Sequence, residues 1–145
     1  MAQPTVLAGT KILVLVGDGA SPEVFGEPCG LTTKSFELSA STNSTLIPDC
    51  ADPELPAWEA KDINALSAQL TGSGVMAVES LATWRDWFMA AEAKNAQIKI
   101  DDDSLGYFSG SWILSSMKLG GQRGQKITLD VTLVNTGAVT WIDNP

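Results

Sequence analysis

The stretch Ile127-Thr128-Leu129-Asp130-Val131-Thr132-Leu133 alternates without a break, with Ile127, Leu129, Val131 and Leu133 on one side and Thr128, Asp130 and Thr132 on the other. Side chains of an extended chain reverse face at each residue, so this pattern predicts a half-buried antiparallel strand with one wet surface. The same reading extends upstream. In Leu31 to Ala40, Phe36, Leu38 and Ala40 oppose Thr33, Ser35, Glu37 and Ser39, and in Asp62 to Thr71, Leu66, Ala68 and Leu70 oppose Ser67, Gln69 and Thr71. Further strands are expected at Lys11 to Gly17, around Val24 to Cys29, at Gln97 to Ile100, at Tyr107 to Leu119 and at Val139 to Ile142. The expected fold class is mainly β, with antiparallel strands.

One segment departs from the two-residue period. Ser80 to Lys94 contains no Gly or Pro and spaces Leu81, Trp84, Phe88 and Ala91 at helical intervals, which predicts a single flanking α-helix over about residues 80–94. Ser80 is placed to cap its start, and Lys94 to sit in its last turn before Asn95. Trp87 and Met89 fall outside the apolar stripe, where an aromatic side chain either packs the helix flank or anchors an interface.

Between two strand candidates, Ser41 to Ala60 carries Pro48, Pro53 and Pro56 and the acids Asp49, Asp52, Glu54 and Glu59. A solvated linker has little use for Leu46, Ile47, Cys50, Leu55 and Trp58, so the stretch is read as a long ordered inter-strand arm lying on a neighbouring surface. The other reading is an Ω-type loop packed on its own domain.

Composition narrows the function. The 145 residues make one domain, 1–145, and nine Lys plus Arg against seventeen Asp plus Glu leave a net charge of −8. That balance argues against phosphate-tracking grooves and anionic-membrane anchoring. There is no histidine, which removes the commonest general base, the commonest metal ligand and every Ser-His or Cys-His nucleophile pair. Met1 to Thr10 lacks the basic start of a signal peptide, and the apolar run Ile12 to Val16 is too short to span a bilayer. Cys29 and Cys50 have no C-x-x-C spacing and are expected as a reduced, partly buried pair. Asp101, Asp102 and Asp103 do not match a calcium loop, since Trp112 stands where the closing Glu would be, and read as an acidic turn. Gly120 to Lys126 lacks phosphate-loop spacing and reads as a hairpin turn, and Gly72-Ser73-Gly74 as a flexible connection. No catalytic residue, cofactor or metal is expected.

The segment Cys29-Gly30-Leu31-Thr32-Thr33-Lys34-Ser35-Phe36, then Pro48-Asp49-Cys50-Ala51-Asp52-Pro53 and Pro56-Ala57-Trp58, resembles the major tail tube proteins of long-tailed (siphovirus-type) bacteriophages and gene transfer agents. Gly72-Ser73-Gly74-Val75 leading to Trp84-Arg85-Asp86-Trp87, and the strand pair around Gly137, extend the likeness from about Thr10 to Trp141. The resemblance implies a small antiparallel β-sandwich or barrel with one flanking helix, a structural virion protein and not an enzyme, assembled in the host cytoplasm into hexameric rings that stack into a tail tube. Double-stranded DNA would pass through without specific binding. A tape measure protein and tail terminator or distal tail proteins would be its further partners. On this reading the lumen-facing candidates are Glu37, Ser35, Ser39, Ser67 and Gln69. The candidates for contact between subunits or rings are Leu46, Ile47, Asp49, Asp52, Pro53, Leu55 and Trp58. At −8 per copy, six copies carry 6 × −8 = −48 charges, which suits a conduit that repels a duplex. The alternative is a monomeric β-sandwich module binding carbohydrate or peptide on a platform formed by Trp58, Trp87 or Trp112.

Overall fold

The computed structural model describes residues 3–4, 6–9, 12–17, 25–26, 28–100 and 105–143. Among these residues eight strands and one helix follow in the order β1 (Ile12–Gly17), β2 (Phe25–Gly26), β3 (Leu31–Ile47), β4 (Trp58–Val75), α1 (Val78–Ala90), β5 (Lys94–Ile100), β6 (Gly106–Gly120), β7 (Thr128–Asn135) and β8 (Thr140–Asp143). The mainly β class with one flanking helix is as expected from the alternation. All pairings are antiparallel and the strand order is β2-β1-β5-β6-β7-β4-β3, with β8 on β6, so the sheet is open and not a closed barrel. The acidic turn at Asp101 to Asp103 lies outside the described residues.

Strand β6 belongs to both halves of the sheet. Residues 106–112 pair with β5 and residues 112–120 with β7, with a bulge between Leu114 and Ser116 that bends the strand as it passes from one half to the other. The two halves and α1 enclose one core: Val14, Val16, Ala96 and Ile98 from β1 and β5, Trp112 and Leu114 from β6, Leu129, Val131 and Leu133 from β7, Ala68 and Leu70 from β4, and Trp84 and Trp87 from the helix. The phase of the opening stretch is therefore as read, except that Ile127 lies before the strand and is exposed. Phe36 of β3 packs on Phe108 and edge-on to Trp112 of β6, closing the core across the two halves.

The helix differs from expectation in phase and at both ends. Its N-cap is Ala77, while Ser80 is buried in the first turn and its hydroxyl donates to the Cys29 carbonyl at 2.9 Å, tying the helix to the chain before β3. Ala91 closes the helix in the left-handed region at φ 54°, and Lys94 and Asn95 already belong to β5. Trp84 and Trp87 are 0% and 1% exposed, whereas Phe88 is 47% exposed and Met89 projects outward. Positions three and four residues beyond Trp84 both flank the same face. Trp87 wins because its indole buries more area and its N–H reaches the Glu92 carbonyl at 2.9 Å. Gly72-Ser73-Gly74 is a correction too, since it is the last part of β4 and not a connection. Cys29 and Cys50 are both free and both exposed, so the expected partial burial does not hold.

Candidate assembly surface

Strands β3 and β4 pair continuously from Leu31 opposite Gly74 to Ile47 opposite Trp58. The expected arm at 41–60 is thus the far half of a long hairpin, with an irregular tip only over residues 48–57. No residue from 37 to 67 is buried, so the hairpin projects from the body and does not pack on its own domain as an Ω-loop would. It leaves the body at a bulge, where β4 carries the extra residue Asn64 and the Ser41 hydroxyl donates to the Asn64 side-chain oxygen. Local bonds hold the tip: the Ala51 and Glu54 amides donate to the carboxylates of Asp49 and Asp52 at 2.9 and 3.2 Å, and the Leu55 amide to the Asp52 carbonyl at 3.1 Å. These are turns that Asp forms with its own backbone, so Asp49 and Asp52 shape the tip as well as charging it. Leu46, Ile47, Leu55 and Trp58 are all exposed, Trp58 to 86%.

The register brings the five polar candidates together. Ser35 stands opposite Thr71, Glu37 opposite Gln69 and Ser39 opposite Ser67, and the last two hydroxyls are 2.7 Å apart. Directly opposed residues share a face, so Ser35, Glu37, Ser39, Ser67 and Gln69 form one exposed panel. The panel continues through Thr71 opposite Thr132 and Ser73 opposite Asp130 on β7, then Ser116 and Lys118 on β6. Thr71, Asp130, Thr132, Ser116 and Lys118 are absent from the sequence-derived set. Alternation had placed Asp130 and Thr132 on a wet face, but only strand pairing puts that face beside Glu37.

The other face of β3 and β4 passes out of the core. Phe36 and Leu70 are covered, but Leu38 and Leu66 are exposed, Leu66 to 77%. They border a cleft of about 420 Å³ whose floor includes Phe108 and Val139. Asn135 holds its rim, accepting from the Ala68 amide at 2.9 Å and donating to the Gly137 carbonyl at 2.8 Å. Of the three tryptophans considered as a ligand platform, Trp87 and Trp112 are buried, which removes both, and Trp58 alone is exposed.

The four-stranded panel β6–β7–β4–β3 has two free edges among the described residues. Strand β3 pairs only with β4, and β6 from Ile113 to Gly120 pairs only with β7. Unpaired backbone along two long edges is a template for adding further strands.

A family model described as phage tail tube protein matches residues 6–141. Among solved structures, the chain is similar to the tail of an empty gene transfer agent particle refined with C6 symmetry, at TM-score 0.78 and 18% identity over 94% of this chain and 99% of that chain. A chain of the native gene transfer agent virion is similar at TM-score 0.75 and 18% identity, again over 94% and 99%. The SPP1 tail tube protein is similar at TM-score 0.65 and 9% identity over 95% and 80%. No curated protein sequence matches the chain.

Proposed function

The chain belongs to the phage tail tube protein family and is a structural subunit of a tail tube, and from that premise we propose that six copies close into a ring by joining free strand edges. The observation that carries this reading is the pair of open edges on one panel. An edge on each side lets the same contact repeat around an axis, and a repeated heterologous contact closes when the rotation fits. The sixfold number is that of the gene transfer agent tail to which the fold is similar. Six panels of four strands, at about 4.8 Å per strand, make a circumference of roughly 115 Å and a backbone diameter of roughly 37 Å before strand tilt widens it.

The panel carrying Glu37, Ser35, Ser39, Ser67 and Gln69 would line the lumen. Its hydroxyls and amides keep the wall wet, and Glu37 and Asp130 against the single cation Lys118 leave it net negative where a duplex would otherwise adhere. The apolar face with Leu38 and Leu66 would turn outward and be covered in the assembled tube, since both side chains are exposed in the single copy. Double-stranded DNA would move through the lumen without specific binding, and the subunit would reside in a virion tail assembled in the host cytoplasm. A tape measure protein inside the tube and terminator or distal tail proteins at its ends would be its other partners.

Electron microscopy of the concentrated, purified chain tests the reading. Rings and stacked tubes with sixfold end views are expected, and a chain that stays monomeric at millimolar concentration would refute it.

A further inference from the structure

The β6–β7 connection and the tip of the β3–β4 hairpin stand at opposite ends of β4. Trp58 begins the strand beside the tip, and Val75 ends it opposite Thr128, just after the β6–β7 turn. At about 3.3 Å per residue the two are separated by roughly 55 Å along the strand. Their chemistry is opposite in sign. The tip carries Asp49, Asp52, Glu54 and, at the second position of pairing opposite Leu46, Glu59, with Leu55 and Trp58 exposed among them. The turn carries Arg123 and Lys126 and no acid between Lys118 and Asp130. Both cations are exposed, and neither makes an ion pair among the described residues.

The turn also offers an apolar seat. Val75, 44% exposed, stands opposite Thr128 on the panel face, and the Met76 amide after it donates to the Ile127 carbonyl at 2.8 Å, which ties the end of β4 to the turn. An open groove of about 520 Å³ runs between Val75, Gly124, Gln125, Lys126 and Thr128. The Gln125 amide bonds the Gln122 carbonyl at 3.0 Å, so the cations sit on a closed turn.

We infer that the β6–β7 turn is the receiving surface for the hairpin tip of a second copy in the next ring. The inference rests on the tube reading and adds to it the surface on which the arm lands. An unlimited head-to-tail stack needs two complementary patches facing opposite ways along the axis. The acidic, aromatic tip and the basic, apolar-rimmed turn meet that need at the two ends of one strand. Opposite charge sets the register and speeds encounter, and burial of Trp58 and Leu55 against Val75 and the groove beside it supplies area. The −8 net charge opposes contact elsewhere, so one basic turn on an acidic subunit also selects the mating face.

The test combines charge reversal with a cross-link in the full chain. Arg123→Glu with Lys126→Glu should leave the melting curve unchanged and halt assembly at single rings, lowering the sedimenting tube fraction at least tenfold. Adding Glu54→Lys and Glu59→Lys, which spare the tip-forming Asp49 and Asp52, should restore half or more of it. In a Cys29→Ser background, Gln125→Cys should yield a ladder of multimers through Cys50 when assembled protein is oxidised with copper phenanthroline. Wild-type tubes together with normal-length tubes from the reversal variant, or with no ladder, overturn this inference and leave the tube reading standing. A wild-type chain that never forms tubes overturns both.

Discussion

Gly30 and Gly74 meet face to face at the base of the long hairpin. The Val75 amide donates to the Gly30 carbonyl at 3.0 Å, and a methyl group on Gly74 would collide with that same carbonyl oxygen. Gly30 itself sits at φ +102°, in the region that side chains avoid, and a Cβ there would lie 2.5 Å from the Val75 oxygen. The contact joins the segment before β3 to the end of β4, forty-four positions apart, and so anchors the lever on which the arm projects.

Gly74→Ala is therefore expected to destabilise the subunit by about 2–3 kcal/mol, because backbone and not a pliable side chain must give way. Gly121→Ala, where a Cβ would meet nothing within 4 Å, is expected to be near neutral. Urea denaturation of both variants checks the contrast, and equal midpoints would contradict it.

Two buried indoles separate hydrogen bonding from packing. Trp87 donates to the Glu92 carbonyl at 2.9 Å, whereas the Trp84 indole N–H has no acceptor among the described residues. Phenylalanine removes similar volume at both sites but a hydrogen bond at only one. Trp87→Phe should cost about 1 kcal/mol more than Trp84→Phe, a difference of roughly 3 °C in melting temperature.

Asn135 carries two bonds at the edge of the core. Asn135→Ala would leave the amide of buried Ala68 without its acceptor and free the turn at Gly137, for an expected loss of about 1–3 kcal/mol. Asn135→Asp keeps an acceptor toward Ala68 and should lose less. Hydrogen exchange at the Ala68 amide should accelerate in the alanine variant and not in the aspartate variant.

Replacing residues 44–61 with Asn-Gly would join Asn43 to Asp62, an opposed pair, through a two-residue turn. Only exposed or half-covered side chains are removed, so the melting temperature should move by a few degrees at most. Assembly should be abolished. Loss of folding would mean that the arm supports its own body; undiminished tubes would mean that it contacts no sibling.

Glu37→Lys tests the lumen panel. Its side chain is exposed opposite Gln69, so subunit stability and tube morphology should be unchanged. In assembled particles the added cations should slow DNA release, most at low salt, since screening shortens their reach. Release at the normal rate in low salt would take Glu37 off the lumen wall.

Alternation in Leu31 to Ala40, Asp62 to Thr71 and Ile127 to Leu133 was sufficient to place Ser35, Glu37 and Ser39 against Phe36, and Leu129 and Val131 against Thr132, because side-chain direction in a strand is a local property of the backbone. It also marked the helix, whose composition admits no strand. What sequence could not decide were quantities set by partners far along the chain. Pairing out to Ile47 opposite Trp58 turned half of the expected arm into strand, and pairing of β4 with β7 placed Asp130 on the same panel as Glu37. Burial of the larger indole and its bond to the Glu92 carbonyl chose Trp87 over Phe88, since helical spacing alone leaves both on the flank of Trp84. The encounter of Gly30 with Gly74 and the two free edges of the panel are likewise tertiary facts. A residue's own chain neighbours dictate which way its side chain points, but only the folded sheet dictates what it points at.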